Sequence, residues 1–364
     1  MAYFAVTLET IKTSEKHPNA DKLSVCTLDG VPFTFVTGIN QFEVGEQVIY
    51  FPIDSIVPDP IAEKLGVFKK LSGSNKDRIK TCTIRGTISQ GIVGKFTLIE
   101  DCLIQIYGND WMEKGIEIKP SEITTWLGVT KYEPPVIADK AGRLITLPDT
   151  LSIYDIESCE RYGKVVSYLM DKKVWVLEKM EGSNGSIHYD TINDKMYVNQ
   201  RRFTIEEIDG HKHGWWEVAR KQGFVDFVQW VAKTQGGSSN VTLYFECCGP
   251  GIQGNLYSLK EVTGYIFDMK VNGFFISKPQ MFALLDTCFV NGYVHAPVLG
   301  KDILLRDWLN GKSIKDASNG TSVVANVLRE GIVISPSIEE YNEDLGGRLI
   351  IKQRDPIYLS KTSN

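Results

Sequence analysis

The chain has 364 residues, 43% of them hydrophobic and 23% charged, which suits a globular protein with room for two separate cores. A net charge of −5 excludes a protein that coats nucleic acid by bulk electrostatics. No apolar run approaches the ~18 residues of a membrane span, MAYFAVTLETIKT lacks a signal-peptide layout, and the seven cysteines include no C-x-x-C pair; reduced thiols, a cytoplasmic location and no membrane partner are expected.

Residues 1–125 read as short strands broken by turns. Phe4–Leu8 and Leu23–Leu28 are strand-like, the latter ending at the hairpin signal Asp29-Gly30; Phe33–Thr37, Gln47–Pro52 and Gly91–Phe96 repeat the pattern. Such spacing predicts a small barrel. The heptapeptide His17-Pro18-Asn19-Ala20-Asp21-Lys22-Leu23 is an Asx-type turn before a strand, and it resembles the opening of OB-fold modules of tRNA-binding proteins. His17 is expected to be a turn residue. Between Lys69 and Lys95 stand seven basic residues (Lys69, Lys70, Lys76, Arg78, Lys80, Arg85, Lys95) against one acid, Asp77. The default for such a run is a solvated face; inside an acidic chain it is also a candidate phosphate-backbone surface.

Around Gly128–Leu147 the pattern thins, and Pro134-Pro135 enforces an extended segment, so residues 126–148 are expected to be a linker. Apolar residues at helical spacing over Ile156–Asp171 predict one helix opened by Asp155 or Ser152. It leads into WVLEKMEGSNGSIHY, Trp175–Tyr189. An apolar run delivers Lys179, Glu181 follows, and Gly182-Ser183-Asn184-Gly185 reads as a turn before a returning strand. A lysine amine at the end of a buried strand suits nucleophilic chemistry, because partial desolvation disfavours ammonium. A carboxylate two residues away shares its strand face and suits a metal, and the glycines would let backbone N–H groups approach phosphate. An ordinary hairpin with an exposed Lys/Glu pair is the simpler reading of those four residues alone.

Further on, Met196–Phe203 is a strand ending at Arg201-Arg202, and Trp215–Thr234 has the periodicity of one amphipathic helix. Val241–Glu246 ends in a carboxylate before Gly249-Pro250-Gly251-Ile252-Gln253-Gly254. Gly264–Met269 and Phe274–Ile276 form a hairpin across Asn272-Gly273. Glu330 opens Gly331-Ile332-Val333-Ile334, and Leu349–Arg354 is a last strand with alternating cations. Adjacent Cys247 and Cys248 would point to opposite strand faces, so burial is expected and not a metal site.

Any one acid at a strand end is usually a solvated residue; the order of the whole set carries the information. It resembles the covalent nucleotidyltransferases, the ATP-dependent polynucleotide ligases and mRNA capping enzymes. Lys179-Met180-Glu181-Gly182 is similar to their first motif, K-x-[DHE]-G. Arg201, or its neighbour Arg202, falls at the arginine motif. Phe245-Glu246 and Gly251–Gly254 resemble motif III of the RNA ligases, Phe267 the aromatic that packs on adenine, Glu330–Ile334 motif IV, and Lys352-Gln353-Arg354 motif V. With an OB-like module ahead of the transferase domain, the arrangement resembles RNA ligase family 5; DNA ligases and capping enzymes carry such a module after motif V. Two positions depart from the family habit: Glu181 stands where aspartate is common, and Arg354 where lysine is.

The resemblance implies an α+β chain: an OB-like β-barrel over 1–125, the linker over 126–148, and over 149–364 an ATP-grasp-like nucleotidyltransferase domain of antiparallel sheets with flanking helices. It implies an RNA ligase using ATP and Mn2+ or Mg2+, with RNA ends bearing 3′-OH and 5′-phosphate, nicks above all, as partner, and a monomer. Lys179, Lys352 and Arg354 are the expected catalytic residues. Lys179, Arg201, Glu246, Phe267, Glu330, Lys352 and Arg354 would bind the nucleotide, and Glu181, Glu246 and Glu330 the metal. The rival readings are a DNA nick ligase or another covalent nucleotidyltransferase, and a non-catalytic RNA-binding protein.

Overall fold

The computed structural model describes residues 4–29, 31, 33–132, 143–208, 213–234 and 239–362. Its contacts divide the chain into two compact units. Among the described residues the first takes 4–132, a short return at 160–163, and 356–362; the second takes 143–159 and 164–355. Residues 160–163 and the C-terminal helix thus belong to the first unit.

In the first unit, strands β1 (Thr7–Lys16), β2 (Leu23–Leu28), β3 (Thr34–Gly38) and β4 (Gln47–Phe51) are followed by β5 (Ser55–Ile56), β6 (Cys82–Ile84), β7 (Thr87–Ser89) and β8 (Ile92–Lys95). One antiparallel sheet runs β3-β2-β1-β4-β8. The first half of β1 pairs with β4 and the second half with β2, with a register irregularity between Ile11 and Thr13, so the long strand bends and the sheet curls into a half-barrel. Period-two alternation in β4 serves two cores. Val48 and Tyr50 join Ile11, Cys26 and Phe35, while Ile49 and Phe51 meet Val57, Ile79, Ile99, Leu103 and Ile123. The second core includes the helical Ala62, Ile99, Leu103 and Ile123, from α1 (Asp59–Lys64), α2 (Thr97–Tyr107) and α3 (Pro120–Trp126). His17 is a buried turn residue: Nδ1 accepts the Asn19 N–H at 3.0 Å and Nε2 meets the Ile84 carbonyl at 3.1 Å. Gly30, half of one hairpin signal, lies outside the described residues, as do Pro134 and Pro135. Part of the expected linker is instead structured, since α3 closes at Trp126 and β9 (Thr130–Lys131) pairs with β5.

The second unit holds two larger sheets. β10 (Arg143–Thr146), β13 (Ser183–Asp190), β14 (Lys195–Gln200), β15 (Phe203–Glu206), β16 (Val241–Cys248), β17 (Thr263–Val271) and β18 (Phe274–Phe275) form one, in the order β10-β15-β14-β13-β16-β17-β18. β11 (Glu157–Ser158), β12 (Lys173–Lys179), β19 (Val298–Leu304), β20 (Gly331–Pro336) and β23 (Ile351–Arg354) form the other, in the order β11-β23-β20-β12-β19. Pairing is antiparallel throughout both, except β11 with β23. A small ladder joins β21 (Tyr341–Asn342) and β22 (Gly347–Arg348).

Three sequence expectations change here. The helix over Ile156–Asp171 is replaced by β11, a 3-10 turn at Cys159–Arg161 and α4 (Gly163–Leu169), because strand pairing with Ile351 and Lys352 outweighs local periodicity. Trp215–Thr234 is two helices, α5 (Gly214–Lys221) and α6 (Phe224–Thr234), broken where Gly223 takes φ +72°. The Lys179 strand and its successor are not a hairpin. β12 and β13 lie in different sheets, and Gly182 makes the crossing possible: a Cβ there would stand 2.4 Å from the Cys247 carbonyl oxygen.

Helices α5, α6 and α7 (Lys278–Cys288) cover one face of the seven-stranded sheet, where Ile187, Val198, Leu243, Phe245 and Ile266 meet Phe224, Phe227, Val231 and Leu285. Strand alternation gives its opposite face Ser186, His188, Thr242, Tyr244 and Glu246. Short helices α8 (Leu305–Leu309) and α9 (Ile314–Ser318) and the C-terminal α10 (Pro356–Thr362) complete the elements. Among the described residues no helix is long and apolar enough to cross a membrane, and no disulfide joins the seven cysteines, Cys247 and Cys248 being buried as expected.

Candidate active site

Strands β12, β20 and β23 run side by side in the register Leu177↔Val333↔Lys352 and Lys179↔Gly331↔Arg354. Directly opposed residues share a face, so Lys179, Lys352 and Arg354 project together while Glu178, Ile332 and Gln353 lie buried on the other side. Gly331 occupies the middle of the lysine row because a Cβ there would fall 2.1 Å from the Gln353 carbonyl oxygen. Glu330, one residue earlier, accepts a hydrogen bond from Lys179 Nζ at 2.8 Å, and both side chains are mostly covered. The expectation of a desolvated amine is therefore refined: Lys179 is mostly covered but rests in an ion pair with Glu330.

The seven-stranded sheet contributes Glu246, opposite Asn184 on β13 and Tyr265 on β17. Burial pushes its carboxyl up to about 8; Lys179 and Arg201 pull it down, and Glu330 and Glu181 add to the rise. Four charged side chains, from both sheets and their connections, thus act on Glu246. Among the described residues no three His, Cys, Asp or Glu side chains are drawn close enough to hold an ion by themselves. Glu181 is fixed through its backbone N–H, which donates to Tyr257 Oη at 2.8 Å.

A small, partly open cleft on the polar face is lined by Leu147, Leu151, Tyr154, Asn184, Arg201 and Tyr244. Arg201 is also ion-paired to Asp155 at 3.2 Å. Phe267 is partly buried with its ring edge-on to Tyr154, centroids 5.2 Å apart. Beneath it, Lys278 Nζ donates to the Phe267 carbonyl and to Asp268 Oδ1, both at 2.7 Å. Asp268 is fully buried; burial opposes its charge, but Arg348 and Lys278 hold it well below the usual carboxylate range.

The structure therefore brings Lys179, Glu181, Arg201, Glu246 and Glu330 into one electrostatic cluster, with Lys352 and Arg354 on the lysine's strand face. Sequence reasoning missed Asp155, which meets both Arg201 and Lys352 Nζ, the latter at 3.7 Å. It also missed the Lys278–Asp268–Arg348 network. Asp155 carried a local signal only as a helix opener, and no helix begins there.

Against known families, residues 172–353, half of the chain, match RNA ligase and residues 5–95 match an OB-fold domain. The chain belongs to the RNA ligase family. Solved structures of a Naegleria gruberi RNA ligase resemble it over nearly its whole length. The form with PPi has a TM-score of 0.77 at 24% identity, covering 99% of each chain. A lysine-to-alanine variant with ATP and Mn has a TM-score of 0.78 at 24% identity, covering 99% of this chain and 100% of that one. At that identity the likeness describes the fold. A phenylalanine–tRNA ligase beta subunit from Geobacter sulfurreducens is 28% identical over 170 residues; this covers 45% of the present chain and 18% of that protein's length.

In this RNA ligase family member the basic run of the first unit is only partly available. Arg78 is bound to Asp54 at 2.6 Å and stacks 3.4 Å over Tyr132, and Lys69 faces Asp59 at 3.7 Å. Lys76, Arg85 and Lys95 are exposed.

Proposed function

We propose that the protein is an ATP-dependent RNA ligase that seals 3′-OH and 5′-phosphate ends, nicks in particular, through lysyl-AMP and AMP–RNA intermediates. The observation that carries this reading is the shared strand face of Lys179, Lys352 and Arg354, with Glu330 on the lysine and Glu246 across the cleft. The Naegleria structures with ATP, AMP and PPi support it by analogy of fold.

Lys179 Nζ gives up a proton, with Glu330 Oε2 already at hydrogen-bonding distance, and attacks the α-phosphorus. An N–P bond forms as the bond to the pyrophosphate oxygen breaks. Lys352 and Arg354 balance charge on the phosphoryl group in transfer, and Phe267 offers a face for adenine. An RNA 5′-phosphate oxygen then takes AMP from the lysine. Last, the 3′-hydroxyl attacks that 5′-phosphorus and AMP leaves. The donor set fits a divalent ion: Glu181, Glu246 and Glu330 are hard oxygen ligands in a crowded anionic cleft, and too few converge to bind one without phosphate oxygens and water. Mn2+ or Mg2+ held there would neutralise triphosphate charge. The first unit would grip the strand being joined through Lys76, Arg85 and Lys95.

Incubation with α-labelled ATP and Mn2+ or Mg2+ tests the reading. The protein should acquire an acid-labile, base-stable label that disappears in Lys179→Ala, and should then seal nicks with a ribose 3′ end faster than deoxyribose ones. No label under either metal would sink the enzyme reading, and equal sealing of both termini the RNA specificity.

A further inference from the structure

We propose that Asp155 is a positioning residue for phosphoryl transfer, its two carboxylate oxygens holding Arg201 of one sheet and Lys352 of the other as a single paired cation site. The inference rests on the ligase reading and goes past it, since neither the motif set nor the family match points to Asp155.

The geometry divides the work between the oxygens. Oδ2 faces the Arg201 guanidinium at 3.2 Å, and Oδ1 faces Lys352 Nζ at 3.7 Å while accepting the Ile156 N–H at 3.0 Å. The bond from the Ile156 N–H helps orient the carboxylate between the two cations. Its side chain is 9% exposed, against 36% for Arg201 and 23% for Lys352. The cations are thus more open than the anion that gathers them, and an incoming phosphate meets positive charge.

The segment around Asp155 is anchored to both sheets. On one side Tyr154 Oη donates to Asp268 Oδ2 on β17 at 2.7 Å. On the other, Glu157 and Ser158 pair with Ile351 and Lys352, and Cys159 Sγ donates to Gln353 Oε1 at 2.7 Å. A solvent-exposed ion pair needs none of this. These contacts fix where one sheet's arginine stands relative to the other sheet's lysine, and in the proposed reaction the α-phosphate would lie near both, in line with Lys179. Two unpaired cations would repel each other and their long side chains would wander; one shared, buried carboxylate removes both freedoms.

The test is single-turnover self-adenylylation of the full chain with α-labelled ATP, giving the rate at saturating ATP and the half-saturating concentration, alongside thermal melts. Asp155→Asn should slow the saturated rate by about 30-fold or more with less than about threefold change in half-saturation, since misplacement of about 1 Å costs on the order of 10²-fold. Asp155→Glu, which keeps the charge but lengthens the arm, should fall between, about fivefold slow. Arg201→Lys should cost less in the Asp155→Asn background than in the wild type. An Asp155→Asn enzyme with a wild-type saturated rate, or a loss confined to half-saturation, overturns the proposal. Should Asp155→Asn fail to fold, Asp155→Glu decides alone: a rate within about twofold of wild type overturns it and a slower one upholds it. A wild-type protein that takes no label sinks the ligase reading and this inference with it, an outcome distinct from labelled wild type beside an equally fast Asp155→Asn.

Discussion

Replacing Gly331 with alanine probes how tightly the row of Lys179, Gly331 and Arg354 is built. The added Cβ would stand 2.1 Å from the Gln353 carbonyl oxygen and 2.8 Å from the Arg354 Cα, both main-chain atoms of β23, where ordinary contact begins near 3.4 Å. Neither can rotate away, so β20 and β23 must part by roughly 1 Å at the level of Lys179 and Arg354. Overpacking of this kind costs about 1–3 kcal/mol of stability. The same displacement between nucleophile and stabilising cation should slow lysyl-AMP formation by about 10²-fold, or about 2.7 kcal/mol in activation free energy. Single-turnover labelling with α-labelled ATP reads the rate and a thermal melt the stability. Gly214→Ala, where a Cβ meets nothing within 4 Å, is the matched control. A Gly331→Ala protein that labels within threefold of wild type and melts normally would refute the reasoning that this close strand contact sets the site.

The buried Lys278–Asp268 pair should be sensitive to loss of one partner: Lys278→Met leaves Asp268 short of one counter-charge and should cost about 3–5 kcal/mol, lowering the melting temperature by about 10 °C or more; a shift under 2 °C would contradict it. His188 is buried against Thr242 and its pKa falls from the usual 6.5 to about 4, burial being the main cause. The folded state thus favours neutral imidazole, the unfolded state binds more protons between those values, and stability should drop by about 3 kcal/mol as pH falls from 6.5 to 4. In His188→Gln that part of the acid slope, measured by urea titration, should vanish. In the first unit, Arg78→Ala removes the Asp54 bond and the stacking on Tyr132. It should cost about 1–2 kcal/mol while self-adenylylation by the full chain stays unchanged; a parallel loss of labelling would refute a purely structural Arg78.

What was legible in the sequence follows from where the information sits. Lys179 and Glu330 end or flank a strand and Glu246 and Lys352 lie within one, and strands announce themselves through β-branched and aromatic runs, so their order survives in one dimension. The half-barrel showed for the same reason. Sheet membership did not: Trp175–Tyr189 reads as a hairpin because a glycine-rich stretch between two strands usually is one, and the close passage of Gly182 against Cys247 that sends β13 to another sheet is visible only in three dimensions. The misread helix at Ile156–Asp171 has a similar cause. Its apolar spacing is real, but Glu157 and Ser158 find strand partners nearly two hundred residues later in β23.

That long pairing also explains why the residues sequence reasoning found and those it missed differ in kind. The residues that the sequence singles out are, in the proposed reaction, the ones that would meet the nucleotide, and their chemical type and their place on a strand are both visible in one dimension. Asp155, Lys278 and Arg348 act on other protein groups, and nothing about an aspartate before an isoleucine says which cations it will meet. Yet each of these cations stands against a carboxylate. Lys179 is balanced by Glu330, Arg201 and Lys352 by Asp155, and Lys278 and Arg348 by Asp268. A site that must receive a highly charged triphosphate is held in shape beforehand by carboxylates already in place. The first two pairings involve residues that would contact the nucleotide and must yield or adjust when it binds; the third lies beneath Phe267, more deeply buried, and persists as scaffold. Mutations should therefore separate by pair, with changes at Glu330 and Asp155 appearing in rate and changes at Asp268 in stability.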